Sequence, residues 1–305
     1  MKFKRVGILG HPFRPETGAI CDQVAQSLQA RGIDTWQRSQ WDATTISPLI
    51  AESDLVIAIG GDGAMLRAAR LCAIANVPVF GINAGHLGFL TEASPATWES
   101  SVDVLLGDGY WIEERMMIHS EAWRNDTLLS REDSLNDVVV SRGSIARSVL
   151  LDLYIDNGWA TTYNADGLII ATPTGSTAYG LAVGGPILPP ELKNILVVPI
   201  AAHLSFDRPL VLSEGATVEI IVSTETQADV VLNVDGEHVT NLLEGDAVVV
   251  QASEYLSRFV RLRERNYFYR SILDRMEPRI PTRRAPEQRT RPLPGGNFNN
   301  HDHNR

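Results

Sequence analysis

Between Val6 and Ile82 short apolar runs alternate with helical stripes, and this alternation constrains the fold more than any other feature of the chain. Val6–Leu9, Leu55–Ile59 and Val77–Ile82 are too short for helices and read as strands. Ile20–Ala30 carries apolar residues at Ile20, Val24, Ala25 and Leu28, the spacing of one helical face, and Ala64–Ala75 reads the same way. Strands joined by helices at this spacing predict a parallel sheet with crossover connections, an α/β unit. Ligands of such sheets gather at the carboxyl ends of the strands, where Gly60–Gly63 and Asn83–Gly88 fall.

After about Thr91 the texture changes. Ile118–Trp123, Asp137–Ser141, Val149–Ile155 and Gly167–Thr172 are short and rich in β-branched or aromatic residues, and ATVEIIVS, DVVLNVDG and DAVVVQAS add three more strands. They predict a mostly antiparallel β half. In YIDNGWATTY the pair Asn157-Gly158 marks a tight hairpin. The run RFVRLRERNYFYRSILDRM reads as a strand with solvated arginines followed by a helix. The division is then 1–95 for the α/β part, 96–257 for the β-rich part and 277–305 for a tail.

That tail is rich in Pro, Gly, Asn and Arg and nearly lacks apolar residues. It buries too little surface to offset its ordering entropy and reads as disordered. Its six arginines outnumber Glu277, Glu287 and Asp302, so of the net −10 the tail contributes +3 and the rest of the chain −13. An acidic body argues against a nucleic-acid groove, whose affinity rests on phosphate neutralisation. Cys21 and Cys72 are too few for a disulfide framework or a zinc site. No apolar run approaches the roughly 18 residues of a membrane helix, and the apolar run after MKFKR is too short for a signal peptide. A cytoplasmic, reduced enzyme without membrane or nucleic-acid partners is the expectation.

Two stretches carry chemistry. In VIAIGGDGAMLRAA a strand runs straight into Gly60-Gly61-Asp62-Gly63 and then into a helix. This is neither the G-x-G-x-x-G fingerprint nor a P-loop. Glycines there expose main-chain N–H groups beside a helix start, which favours anions. An acid in that place repels phosphate unless it takes a proton or holds a metal. Asp62 is therefore either the group that orients an attacking hydroxyl in phosphoryl transfer or an ordinary turn residue. In DGLIIATPTGSTAYGLAVGGPILPP, Thr172–Thr177 packs four hydroxyls and a glycine into one loop. Uncharged hydroxyls and amides suit sugar hydroxyls, phosphate oxygens or adenine edges. A flexible linker is the alternative, but LIIA and PILPP frame a fixed loop.

Taken together, GGDG, NDVVVSRG (Asn136–Gly143), DGLIIATPTGSTAY and HLSFDRPLV (His203–Val211) resemble the bacterial NAD kinases over about Val6 to Met276. TPTGSTAY with its upstream DG is specific, whereas GGDG is shared with diacylglycerol, sphingosine and phosphofructo-kinases. The resemblance implies transfer of the γ-phosphoryl of ATP, or of polyphosphate, to the adenosine ribose 2′-hydroxyl of NAD, giving NADP. It implies a Rossmann-like N-terminal domain, 1–95, rejoined by about 258–276, and an NAD-binding β domain, 96–257. Asp62 matches the family's proton acceptor, and Gly63 beside it admits ribose and phosphates. Asn136 and Asp137 match an Asn-acid pair that binds adenine or ribose. Thr177, Ala178 and Tyr179 match positions around the adenine and the nicotinamide end, and Asp166 one that reaches the nicotinamide amide, often from a neighbouring subunit. Thr174 lies in the same loop, Phe89 matches an aromatic near adenine, and Arg67 and Arg147 align near phosphate or ribose. Two departures bear on phosphate grip and on the choice between NAD and NADH: Gly180–Ala182 replaces a common Ser-Leu-Ser, so Ala182 brings no hydroxyl, and Asn164 stands where many relatives carry Arg.

The resemblance further implies Mg²⁺ or another divalent ion, held mainly by nucleotide phosphates rather than by a protein cage, and a homodimer or homotetramer. His86 and His203 read as structural, since nothing at metal-ligand spacing accompanies them. Two other functions fit parts of the pattern. A lipid kinase of the diacylglycerol or sphingosine type shares GGDG but needs an acyl pocket. A non-catalytic NAD sensor shares the loops but has no use for an acid beside phosphates.

Overall fold

The computed structural model describes residues 3–85, 88–143 and 147–276, so His86 and the predicted tail lie outside the described residues. In chain order come β1 (Arg5–Gly10), α1 (Thr17–Gln29), β2 (Asp34–Arg38), α2 (Ala43–Ala51), β3 (Leu55–Gly60), α3 (Asp62–Ile74), β4 (Val79–Asn83) and α4 (Trp98–Leu106). The four strands pair in parallel in the order β2-β1-β3-β4. β3 is LVIAIG and is buried at every residue, the pattern of a parallel strand covered on both faces. Leu55, Ile57 and Ile59 pack with residues of α1 and α4, while Val56 and Ala58 pack with residues of α2 and α3. α3 meets the sheet through Ala64, Ala68, Ala69 and Ala73, side chains small enough to bring its first turn close to the end of β3. β2 left no apolar run in the sequence because only Trp36 of DTWQR is buried.

The β half follows as β5 (Trp111–Arg124), β6 (Thr127–Ser134), β7 (Asp137–Arg142), β8 (Val149–Ile155), β9 (Gly158–Ala165), β10 (Gly167–Ala171), the one-turn α5 (Tyr179–Ala182), β11 (Asn194–Ile200), β12 (Leu210–Ser213), β13 (Val218–Val222), β14 (Val230–Val234), β15 (Glu237–Leu242) and β16 (Ala247–Arg261). One six-stranded antiparallel sheet has the order β12-β11-β10-β7-β14-β15. The remaining strands extend the parallel sheet to ten, and alternate residues such as Ile118, Val140, Leu151, Leu168 and Val218 fill the core shared by the two sheets. β16 makes the join. It runs antiparallel to β5 and β13, then meets β4 in parallel at Phe259 and Val79, returning the chain to the first half as expected. α6 (Tyr267–Met276) belongs to a separate compact unit.

Two expectations are corrected. The β8–β9 hairpin forms, but its left-handed residues are Asp156 (φ 50°) and Asn157 (φ 66°), and Gly158 opens β9 opposite Ile155. The turn sits one residue earlier than Asn157-Gly158, because Asp and Asn also tolerate left-handed backbone. The arginines of β16 are not all solvated. Arg261 is 0% exposed and ion-paired to Glu92 at 2.9 Å and to Glu113 at 2.8 Å.

Candidate active site

β3 ends at Gly60 on the carboxyl edge of the sheet, Gly61 precedes α3, and Asp62 is the first residue of that helix. The Asp62 carboxylate is held from the far side of the turn. The N–H of Phe89 donates to Oδ2 at 2.9 Å and that of Leu90 to Oδ1 at 3.1 Å. Gly88 makes the approach possible, since a Cβ there would lie 1.7 Å from Asp62 Oδ1. The turn itself is tied by Thr91 Oγ1, which accepts from the Gly88 N–H at 2.9 Å, and by Asn83 Oδ1, which accepts from the Gly85 N–H at 2.6 Å. A carboxylate offers about four acceptor positions, so two main-chain donors orient Asp62 and leave capacity for a hydroxyl. Gly63 is exposed, with open space where a side chain would stand. The first N–H groups of α3 and its positive end lie at the same edge, a setting for phosphate.

The second part of the site is built around the start of β7. The carboxylate of Asp235 accepts three consecutive main-chain N–H groups, those of Leu135 (3.0 Å), Asn136 (2.8 Å) and Asp137 (3.1 Å). Asp137 is 5% exposed, and burial first, the Asp235 charge second, push its carboxyl up to about 7. The Thr172–Thr177 loop lies directly on Asn136. The Thr172 N–H donates to the Asn136 carbonyl at 2.9 Å, and a Cβ on Gly175 would stand 2.0 Å from that same oxygen. A pocket of about 390 Å³ opens between these pieces. Asn136, Asp137, Ala178 and Tyr179 line it together with Ser141, Asn233 and Asp235.

The hydroxyls of this loop donate to its own and neighbouring main-chain carbonyls. Thr172 Oγ1 donates to the Leu135 carbonyl at 2.5 Å, Ser176 Oγ to that of Pro173 at 2.6 Å and Thr177 Oγ1 to that of Thr174 at 3.1 Å. Thr174 Oγ1 accepts from Arg115 at 3.3 Å. Thr172, Thr174 and Ser176 are buried. These bonds fold the loop, and Ala178 and the half-exposed Tyr179 that follow it line the pocket.

The other expected residues are spread more widely. Arg67 donates to the Trp41 carbonyl at 2.9 Å and lies over the indole ring. Phe89 is half-buried beside Asp62. Arg147 and Asn164 share a second pocket of about 330 Å³ with Glu225 and Gln227. Asp166, between β9 and β10, is ion-paired to Arg142 at 2.9 Å. Ala182 is exposed at the end of α5. Asp235 was not among the expected residues. Its trace in the sequence is the Asp-Gly turn of DVVLNVDG, which by itself reads only as punctuation.

Comparison with known proteins gives the family and the fold. The model of the ATP-NAD kinase N-terminal domain matches residues 6–110, and that of the ATP-NAD kinase C-terminal domain matches residues 135–262. An NAD kinase of Chloroflexus aggregans is 41% identical over 273 residues, covering 90% of this chain and 98% of its own. One of Dehalococcoides mccartyi is 37% identical over 272 residues, covering 88% and 95%. Among solved structures, yeast NADH kinase complexed with NADH superposes with a TM-score of 0.78 at 25% identity, over 89% of this chain and 87% of that one. An Archaeoglobus fulgidus NAD kinase in complex with ATP shares the fold, with a TM-score of 0.71 over 88% and 98%. With both halves matched and relatives of this identity aligned over nine-tenths of its length, the chain belongs to the NAD kinase family.

Proposed function

We infer that the chain phosphorylates the adenosine ribose 2′-hydroxyl of NAD with ATP and that Asp62 accepts the hydroxyl proton. The observation that carries this reading is the Asp62 carboxylate fixed by the Phe89 and Leu90 N–H groups at the start of α3. An acid so held is aimed rather than free to rotate, and positioning is most of what phosphoryl transfer asks of a protein. The pocket of Asn136, Asp137, Ala178 and Tyr179 takes the dinucleotide, with Asn136 and Asp137 binding adenine or ribose. As the proton passes to Asp62, the 2′-oxygen forms a bond to the γ-phosphorus. The bond from that phosphorus to the β–γ bridging oxygen breaks, and ADP leaves with those electrons. The α3 N–H groups stabilise phosphate charge.

Among the described residues no group of three or more His, Cys, Asp or Glu gathers around one point. Mg²⁺ carried on nucleotide oxygens needs only one or two carboxylates from the protein, and Asp62 is the acid at the glycine turn. When bound, the ion neutralises charge on the transferring phosphoryl group.

A homodimer or homotetramer belongs to the same proposal. Trp159, Leu204 and Phe206 are large apolar side chains left exposed, which supports a self-association surface. Among the described residues no helix is long and apolar enough to cross a membrane.

The test is NADP formation from NAD, ATP and Mg²⁺, with Asp62→Asn alongside. Wild-type turnover with at least a hundredfold loss in Asp62→Asn, and NAD binding kept within a few-fold, is the expected result. Unchanged turnover in the variant removes Asp62 from the mechanism, and NAD binding without turnover in the wild type favours a sensor.

A further inference from the structure

The proton acceptor and the dinucleotide loop come from opposite halves of the chain, and a line of buried charged side chains runs from one to the other. Arg261 donates to the carbonyls of Phe89 at 3.4 Å and Leu90 at 3.3 Å, the two residues whose N–H groups hold Asp62. It also donates to Glu92 at 2.9 Å and through Nε to Glu113 at 2.8 Å. Glu113 Oε2 accepts in turn from Arg115 Nε at 2.9 Å, and Arg115 Nη1 reaches Thr174 Oγ1 at 3.3 Å. The Thr174 carbonyl accepts from Thr177, the residue before Ala178 and Tyr179 of the pocket. Both guanidiniums lie over the Phe259 ring, at 5.1 Å and 5.0 Å.

Buried ion pairs are a poor source of stability, because desolvation offsets most of the attraction and apolar residues fill the same volume as well. What a guanidinium fork adds is direction: its donors fix distance and angle to their acceptors in a way that apolar packing does not. The ends of this line fall on the two loops whose separation matters for the reaction. A misplacement of about 1 Å between reacting groups costs about a hundredfold in rate.

We propose that Arg261, Glu113 and Arg115 are positioning residues that set the Phe89–Leu90 turn, and with it Asp62, at a fixed separation from the Thr174–Tyr179 loop. None of the three lines the dinucleotide pocket. The inference rests on the roles given above to Asp62 and that pocket.

Three variants test it. Thr174→Val cuts the last link without changing a charge. Arg115→Lys keeps the charge, but a single ammonium does not reproduce the fork that spans Glu113 and Thr174. The double variant Glu113→Gln with Arg115→Met removes one charge of each sign together. Each is expected to lower kcat at least tenfold, with NAD affinity within threefold and melting temperature within a few degrees of wild type. Wild-type kcat in Thr174→Val or Arg115→Lys overturns the proposal, as does a kcat loss matched by equal losses of NAD affinity or melting temperature. Hydrogen exchange supplies a readout that needs no turnover. The Phe89 and Leu90 amides should exchange at least tenfold faster in the double variant, or in Arg115→Lys should the double variant not fold, and unaltered exchange overturns the proposal as well. Absence of NADP formation by the wild type defeats the activity reading alone, with the exchange result still deciding this one.

Discussion

Asp137 and Asp235 grip each other twice: the Asp137 N–H donates to Asp235 Oδ1 at 3.1 Å, and the Asp235 N–H donates to the Asp137 carbonyl at 2.9 Å. This reciprocal pair closes β7 onto the end of β14 and brings two carboxyl groups together in a buried place. Arg70 of α3 lies on the same carboxylate, Nε 3.6 Å from Asp235 Oδ2. Eight residues separate Arg70 from Asp62 on that helix, about 12 Å along its axis. One helix therefore serves both parts of the site.

The first prediction concerns the charge of Asp137. Its pKa is raised from 3.8 to about 7 by burial and then by Asp235. A group whose folded pKa is raised holds its proton more tightly when folded, so its contribution to stability is present below the unfolded pKa of 3.8 and falls as pH rises toward 7. Asp137→Asn is expected to flatten the decline in stability across that window, by a few kcal/mol as an order of magnitude. Denaturant melts at pH 4 and pH 8 measure it, and an unchanged slope counts against the assignment. A dinucleotide that donates a hydrogen bond to the ionised carboxylate lowers the pKa. NAD binding at pH 6 should then release protons, seen as a buffer-dependent binding enthalpy in calorimetry.

Gly88→Ala is the second. The new methyl would meet Asp62 Oδ1 at 1.7 Å, so either the carboxylate rotates away or the turn withdraws. Both break the bonds from Phe89 and Leu90. Turnover should fall at least tenfold, while NAD affinity, which rests on the pocket of Asn136, Asp137, Ala178 and Tyr179, stays within threefold. Steady-state kinetics beside a binding titration decide between this and a general loss of structure, which would lower both.

The third is Asp235→Asn. An amide offers one oxygen where the carboxylate receives three N–H donors, and its NH₂ group faces donors instead of acceptors. Each buried donor left unmade costs about 1–3 kcal/mol. The variant should lose stability on that scale and raise KM for NAD more than it lowers kcat. A purely catalytic defect would show the reverse.

The parts of this fold that could be read from the sequence are those whose signal is local. β3 and the start of α3 declare themselves because a fully apolar strand runs into glycines and then a helical stripe. Asn136, Asp137, Ala178 and Tyr179 could be named because their motifs are contiguous. Asp235 and the Arg261–Glu113–Arg115 line could not, since each acts on a partner far off in the chain. Arg261 lies 148 residues from Glu113, and Asp235 about 100 from the N–H groups that it accepts. An arginine in an alternating strand looks solvated until its partner's place is known. The internal bonds of the Thr172–Thr177 hydroxyls were illegible for a related reason: composition shows that a loop is polar, not which way its polar atoms point.

β16 also has a consequence for how such a chain is made. The parallel layer of the first residues is complete only when Phe259 takes its place beside Val79, and the Phe89–Leu90 turn that holds Asp62 gains the Arg261 guanidinium on its carbonyls at the same time. A nascent chain that has emerged as far as β4 exposes an open strand edge and must keep it open while more than a hundred and fifty residues are added. Contacts of such sequence separation make folding slow. The early α/β layer is thus finished last, and a chain cut short just before β16 keeps its ten-stranded sheet divided while all six strands of the other sheet are already present.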